Sequence, residues 1–325
     1  MPMKLEDQYS WKELSVLIAD RIEKTRFITA KTWNRQRFID WFMQREKIGL
    51  VFDWRMVARC YTVWKLLQDE ADSFTVITSR EGMGKSSLGI QMCAFISPNM
   101  NMDDIVFDMP DYINKLKGIT KDYKQNKIDK NDKSIQIDEG GLSLFSRESM
   151  SASNKILAKS FFVQRFLNVH VCICIPFYWS IDGLIRNHRI NTLIIIKERG
   201  KYKAVTGRGI KILNKLGEKD KSKNLWSIPI PYGMFWEGHF RKDFPNTIAK
   251  EEYEQHKFKH IQKFLDTTSD DIDSTKMMKL SKVAKDLSIG NQTLIRMIKD
   301  KRIKGKKIGT NWFITRKEYD RLSMA

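Results

Sequence analysis

The chain has 325 residues, enough for two or three domains, and its 42% hydrophobic content supports a real buried core. No apolar stretch approaches 18 residues and no secretory signal is evident, which excludes a helical membrane protein and predicts a soluble, cytoplasmic one. The formal charge of +19 is clustered: Lys276 to Ala325 carries 10 Lys and 4 Arg against 4 acidic residues, and Lys201 to Lys223 carries a further +6. Such clustering points to a polyanionic partner, nucleic acid first, rather than to general solubility.

Residues 1–70 predict a helical N-terminal domain. From 10 to 70 there is no Pro and one Gly, and Leu14, Leu17, Ile18 and Ile22, then Phe38, Trp41 and Phe42, then Val57, Tyr61 and Trp64 recur at helical spacing. Five of the nine tryptophans fall here, to be used in a small core or at a subunit interface. Cys60, Cys93, Cys172 and Cys174 form no C-x-x-C pair and read as reduced core residues.

Residues 71–215 alternate strand-like and helical runs, which predicts an α/β domain with a mainly parallel sheet flanked by helices. The expected strands are 74–78, 104–107, 134–138, 169–175, 192–197 and 202–206. Directly after the first comes "TSREGMGKSS", residues 78–87. Gly84, Lys85 and Ser86 match the end of the phosphate-loop pattern G-x-x-x-x-G-K-[ST], while Ser79 stands where the first glycine is expected. Gly82 and Gly84 permit a loop whose N–H groups curl round a phosphate. The predicted nucleotide contacts are Glu81, Gly82, Met83, Gly84, Lys85, Ser86 and Ser87. Lys85 would neutralise the β- and γ-phosphates, and Ser86 would hold Mg²⁺.

A second motif, "KSIQIDEGG" at 133–141, ends a β-branched run in Asp138 and Glu139. This pairing assigns Asp138 to Mg²⁺ and Glu139 to polarising the attacking water. Together the two motifs predict an ATP-binding, ATP-hydrolysing protein, with ATP and Mg²⁺ as ligands. His256 and His260 are spaced i, i+4 in "HKFKH", with no intervening Glu and no third ligand, and read as a solvated helix face.

Residues 216–275 read as a connector, with a helix from about 248 to 265 and the polar run "DTTSDDIDST" as a linker. In 276–325, a helix "LSKVAKDL" precedes the turn "SIG", Asn291 caps a second helix "QTLIRMIKD", a hairpin "RIKGKKIGTNWFI" follows, and a short helix closes the chain from about Arg316.

This tail resembles the winged helix-turn-helix of excisionases and MerR-like regulators. The resemblance implies that Asn291, Gln292, Thr293 and Arg296 face bases of double-stranded DNA, while Lys304, Lys306 and Lys307 meet phosphates. The segment from about 74 to 207 resembles the RecA-like, additional-strand P-loop ATPases of viruses and plasmids, relatives of FtsK/HerA-type pumps and zonular occludens toxin-like proteins. That division carries an added strand between the phosphate-loop and Asp strands. The resemblance implies a homo-oligomer, ring or filament, whose sites are completed by a neighbour's arginine. Arg147, Arg186 and Arg189 are the candidates, and "IPFYWS" after the 169–175 strand leaves no polar phosphate sensor other than Ser180. The expected function is that of a DNA-binding ATPase of a virus or mobile element, in the host cytoplasm if viral, that translocates, packages or remodels DNA. The alternative is a DNA-binding regulator, or a transposition or replication helper, that uses ATP only as an assembly switch.

Overall fold

In a computed structural model, described over residues 8–29, 33–50, 52–124, 133–138, 160, 163–181, 183–218, 224–275, 278–300, 302–308 and 311–323, five parallel strands and two antiparallel ones make a seven-stranded sheet. In chain order the first unit contains α1 (Trp11–Thr25), α2 (Arg35–Met43), α3 (Trp54–Gln68), β1 (Ser73–Thr78), α4 (Lys85–Ile96), β2 (Ile105–Val106), α5 (Met109–Lys124), β3 (Ser134–Ile137) and β4 (His170–Ile175). There follow α6 (Gly183–His188), β5 (Thr192–Glu198), β6 (Lys201–Thr206), α7 (Arg208–Gly217) and β7 (Phe235–His239). The helix α8 (Lys250–Thr275) begins in this unit, which spans Met1–Tyr253.

The strand order is β2-β3-β4-β1-β5-β6-β7, so β4 lies between β1 and β3. Phe74 pairs with Val171 and Val76 with Ile173 across β1 and β4, and Ile135 pairs with Val171 across β3 and β4. The central strands β1, β3 and β4 are buried on both faces, as parallel strands covered by helices are. Phe74, Val76, Val171, Ile173, Leu193 and Ile195 face a core shared with α5, α6 and α7. Ile77, Cys172, Cys174, Ile194 and Ile196 face the opposite core, shared with α1 to α4.

The helices of the N-terminal 70 residues therefore lie on the sheet and share its core. Ser10 starts α1 through a reciprocal capping pair with Glu13, and Asp53 caps α3 by accepting from the N–H groups of Arg55 and Met56. Of the tryptophans there, Trp41 is fully buried, its ring 5.2 Å from Tyr61 and 5.5 Å from Phe95 of α4, both edge-on. Each such pair adds about 0.5–1.5 kcal/mol beyond its buried area. The buried Arg45 guanidinium donates to the carbonyls of Phe95 and Ile96, the last residues of α4, so it satisfies that helix's C-terminus from another element. The aromatics serve a core within one chain. All four cysteines are free and buried, and burial pushes their thiol pKa values up.

Six strands match the sequence expectation to within two residues at either end, and β7 does not appear in it. Its sequence "FWEGH" carries a charge and an interior glycine. A Cβ on Gly238 would stand 1.9 Å from Asp53 Oδ2 and 2.4 Å from the Tyr202 hydroxyl, so the glycine admits a close tertiary approach that no local pattern reveals. The helix end expected near 265, before the run "DTTSDDIDST", is also corrected. The run continues α8 to Thr275, and no Pro or Gly interrupts the helix that Glu251 and Glu252 open.

The second unit, Glu254–Ala325, holds most of α8 and a small α/β module. Its elements are β8 (Met278–Lys279), α9 (Leu280–Asp286), α10 (Asn291–Lys299), β9 (Gly305–Ile308), β10 (Asn311–Ile314) and α11 (Arg316–Ser323), with the three strands ordered β8-β10-β9. Leu280, Val283, Leu294, Ile298, Ile303 and Ile314 form its core. Gly305 permits a close approach, since a Cβ there would come within 2.4 Å of Ile298 Cδ1. Asn291 does not cap α10. Gly290 occupies the cap position in an extended conformation, without a side-chain cap bond, and Asn291 is the first helical residue.

Candidate functional site

The loop from Ser79 to Gly84 joins the end of β1 to the start of α4, at the C-terminal edge of the parallel strands, where open α/β sheets hold their ligands. Gly82 and Gly84 have φ of +72° and +97°, left-handed values that explain both glycines. Ser79 is not among the residues with positive φ, so this turn does not demand glycine at that position. Its hydroxyl instead donates to the Arg80 carbonyl at 2.9 Å, inside the loop. No side chain caps α4, which leaves the first-turn N–H groups of a 12-residue helix facing the loop.

Within the loop, the Lys85 ammonium donates to the carbonyls of Ser79 and Arg80, each at 3.0 Å. Glu81 and Gly82 are exposed, Met83, Lys85 and Ser86 are half-buried, and Ser87 is buried. The Ser86 hydroxyl donates to Asp138 Oδ1 at 2.7 Å. Asp138 follows the last residue of β3 and is completely buried, and its backbone N–H donates to the Val106 carbonyl at 2.8 Å. Residues more than fifty positions apart thus meet across the width of β4. They offer one carboxylate and one hydroxyl, hard oxygen donors suited to a small divalent cation.

Gly89 makes this meeting geometrically feasible. A Cβ on it would lie 2.3 Å from Oε1 of the buried Gln136 in β3, and the Gln136 amide in turn donates to Cys174 of β4 at 3.1 Å. The glycine lets α4 descend onto β3 and β4, which brings Ser86 within reach of Asp138.

A second layer over the loop comes from residues 240–253, which sequence reading assigned to a connector. Tyr253, 3% exposed, donates its hydroxyl to Asp138 Oδ2, and its ring packs against Phe244 and Phe107. Burial first, and then the Asp138 charge, raise its phenol well above the ordinary tyrosine range. Phe240 lies against Gly84, and the Lys242 ammonium donates to the Gly82 carbonyl at 3.1 Å. These residues lie 99 positions or more from either motif and carry no local signature. Only the aromatic richness of 232–253 hinted that the segment is packed.

Glu139 and Arg147 lie outside the described residues. Arg186 is 5% exposed and held within its own chain: it donates to the carbonyls of Trp179 and Ile181 at 2.9 and 2.7 Å, pairs with Glu218 at 3.3 Å and stacks on Trp179. Arg189 is ion-paired with Asp72, and the Ser180 hydroxyl donates to the Phe177 carbonyl.

In the second unit, Leu294 and Ile298 point α10 into the core while Asn291, Gln292, Thr293 and Arg296 are exposed. Gln292, Thr293, Ile295, Arg296 and Lys299 line an open depression on that helix. Lys304 and Lys307 are exposed, and the Lys304 N–H donates to the buried Glu318 carboxylate at 3.1 Å. Lys306 pairs through its backbone with Phe313 in the β9–β10 hairpin, one position from the Lys307–Trp312 pair. Among the described residues, no helix is long and apolar enough to cross a membrane.

No protein-family model matches this chain, and no curated protein sequence matches it.

Proposed function

We propose that this protein is a RecA-like P-loop ATPase that binds double-stranded DNA through its C-terminal module, read as a winged helix-turn-helix. The observation that carries the reading is the 2.7 Å hydrogen bond from Ser86 to the buried Asp138, across the strand inserted between β1 and β3. A phosphate-loop hydroxyl joined to a strand-tip carboxylate is the arrangement that Mg²⁺-nucleotide chemistry requires, and the inserted strand agrees with the additional-strand division. The chemistry that Mg²⁺ would supply when bound is neutralisation of the phosphates' negative charge. Ser86 and Asp138 would hold the ion. The loop N–H groups and Lys85 would take the phosphates, Lys85 exchanging two carbonyl partners for a stronger, charged acceptor. Glu139, next to Asp138 in sequence, would orient the attacking water.

For the DNA role, the support is the exposed polar face of α10, the lysines of the β9–β10 hairpin and the +10 charge of the last 50 residues. Motor action in a ring or filament on viral or mobile-element DNA follows from the resemblance. A second reading, in which nucleotide serves only as an assembly switch, is favoured by one observation: Arg186 and Arg189 are both engaged inside their own chain. ATP turnover with and without duplex DNA separates the two, because a motor is stimulated by DNA and a switch is not. Lys85→Ala tests the site itself. It should abolish turnover, and unchanged turnover would remove the phosphate-loop assignment.

A further inference from the structure

The sequence places two cations at the phosphate loop, Arg80 within it and Lys85 at its end. The fold brings another. Lys242 is exposed, yet its ammonium rests on the Gly82 carbonyl at 3.1 Å, and its Cε would be 3.4 Å from a Cβ on Gly84. Among the described residues Lys242 forms no ion pair. Burial first, and then the like charge of Arg199, lower its pKa. A lone ammonium held against a carbonyl, beside another cation and the uncapped start of α4, is a poor resting arrangement unless an anion completes it.

The backbone that carries Lys242 is fixed from both sides. The Phe240 N–H donates to the Gly200 carbonyl at 2.9 Å, and Phe240 bridges to Phe52. The Gln91 amide of α4 donates to the carbonyls of both neighbours of Lys242, at 2.8 Å to Arg241 and also to Asp243. Arg241 itself donates to the Leu50 carbonyl. Lys242 therefore moves with α4, the helix that follows the loop, and this anchoring preorganises it instead of leaving it a free surface lysine.

We propose that Lys242 is a second cation for the polyphosphate, supplied in cis, which meets the terminal phosphate that a nucleoside triphosphate has and a diphosphate lacks. This rests on the phosphate-loop reading above and adds a residue to it. On nucleotide binding, the Lys242 ammonium would exchange the Gly82 carbonyl for a phosphate oxygen, as Lys85 exchanges its own two carbonyls.

Fluorescent ATP and ADP analogues, titrated into the full-length protein with Mg²⁺, test it. Lys242→Ala should weaken the triphosphate by about tenfold or more, the loss of one charge-assisted hydrogen bond, and the diphosphate by much less. Lys242→Arg should restore part of the discrimination. Lys201→Ala, which removes an exposed lysine paired with Glu198, should change neither. Thermal melting without nucleotide should show Lys242→Ala folded as the parent is. Undiminished triphosphate binding in Lys242→Ala, with binding lost in Lys85→Ala, would overturn the proposal and leave the phosphate loop standing. An equal loss for both nucleotides would also overturn it. Indifference to both lysine substitutions would remove the phosphate-loop reading itself.

Discussion

The Tyr253 hydroxyl donates to one oxygen of the buried Asp138 carboxylate while the Ser86 hydroxyl donates to the other at 2.7 Å. A residue at the start of α8 thereby closes over a carboxylate at the tip of β3. Removing the Tyr253 hydroxyl deprives a buried anion of a donor. Tyr253→Phe should destabilise the protein by about 1–3 kcal/mol in chemical denaturation without nucleotide. A midpoint and slope equal to those of the parent would mean that the hydroxyl contributes nothing to holding Asp138.

Gly89→Ala places a methyl carbon 2.3 Å from the amide oxygen of Gln136, which is fully buried. The expected cost is about 1–3 kcal/mol, the range for overpacking. Because the conflict is with one side chain, Gly89→Ala combined with Gln136→Ala should cost less than the two single changes added together. A double-mutant cycle by urea denaturation measures this, and simple additivity would show that the helix rests on something other than Gln136.

His170, at the start of β4, is fully buried, and that burial, followed by the Arg59 charge, lowers its pKa from 6.5 to about 3. The folded state keeps it neutral while the unfolded chain takes up a proton below about pH 6.5. Stability should therefore fall as pH drops from 6.5 towards 3, by on the order of 3 kcal/mol at pH 4 from this group. His170→Phe should flatten that part of the stability–pH curve, measured by denaturation from pH 7 to 4. An unchanged slope would show that other groups control the acid limb.

For DNA, two substitutions should separate by kind. Arg296→Ala, on the exposed face of α10, should cost about 1–3 kcal/mol on a cognate duplex and little on a random one. Lys307→Ala, in the hairpin, should weaken both about equally and reduce the slope of log affinity against log salt by about one. Titrations at several salt concentrations decide, and if Arg296→Ala lowers both duplexes alike, α10 does not read sequence.

What the sequence by itself determined was whatever is written in short range. The runs at 74–78, 169–175 and 192–197 are strands because segments rich in β-branched and apolar residues bury both faces of a parallel sheet, and 134–138 joins them through Ile135 and Ile137. Gly82 and Gly84 marked the loop because left-handed backbone favours glycine, and their φ values are positive. The helix, turn, helix and hairpin of the tail followed from spacing and turn residues, although Gly290, and not Asn291, holds the cap position of α10.

What only the tertiary structure decided involves partners distant along the chain. That Ser86 reaches Asp138 depends on Gly89 lying against Gln136, a fit of volumes that no window of sequence contains. That the N-terminal helices share the sheet's core follows from Arg45 and Trp41 meeting Phe95 and Ile96. Tyr253, Lys242 and the strand β7 come from a stretch without periodicity or motif, because their roles are set by the loop and carboxylate they cover. Local pattern reports the conformation a segment prefers; a buried hydrogen bond between remote residues exists only once long-range packing has excluded water and brought both ends together.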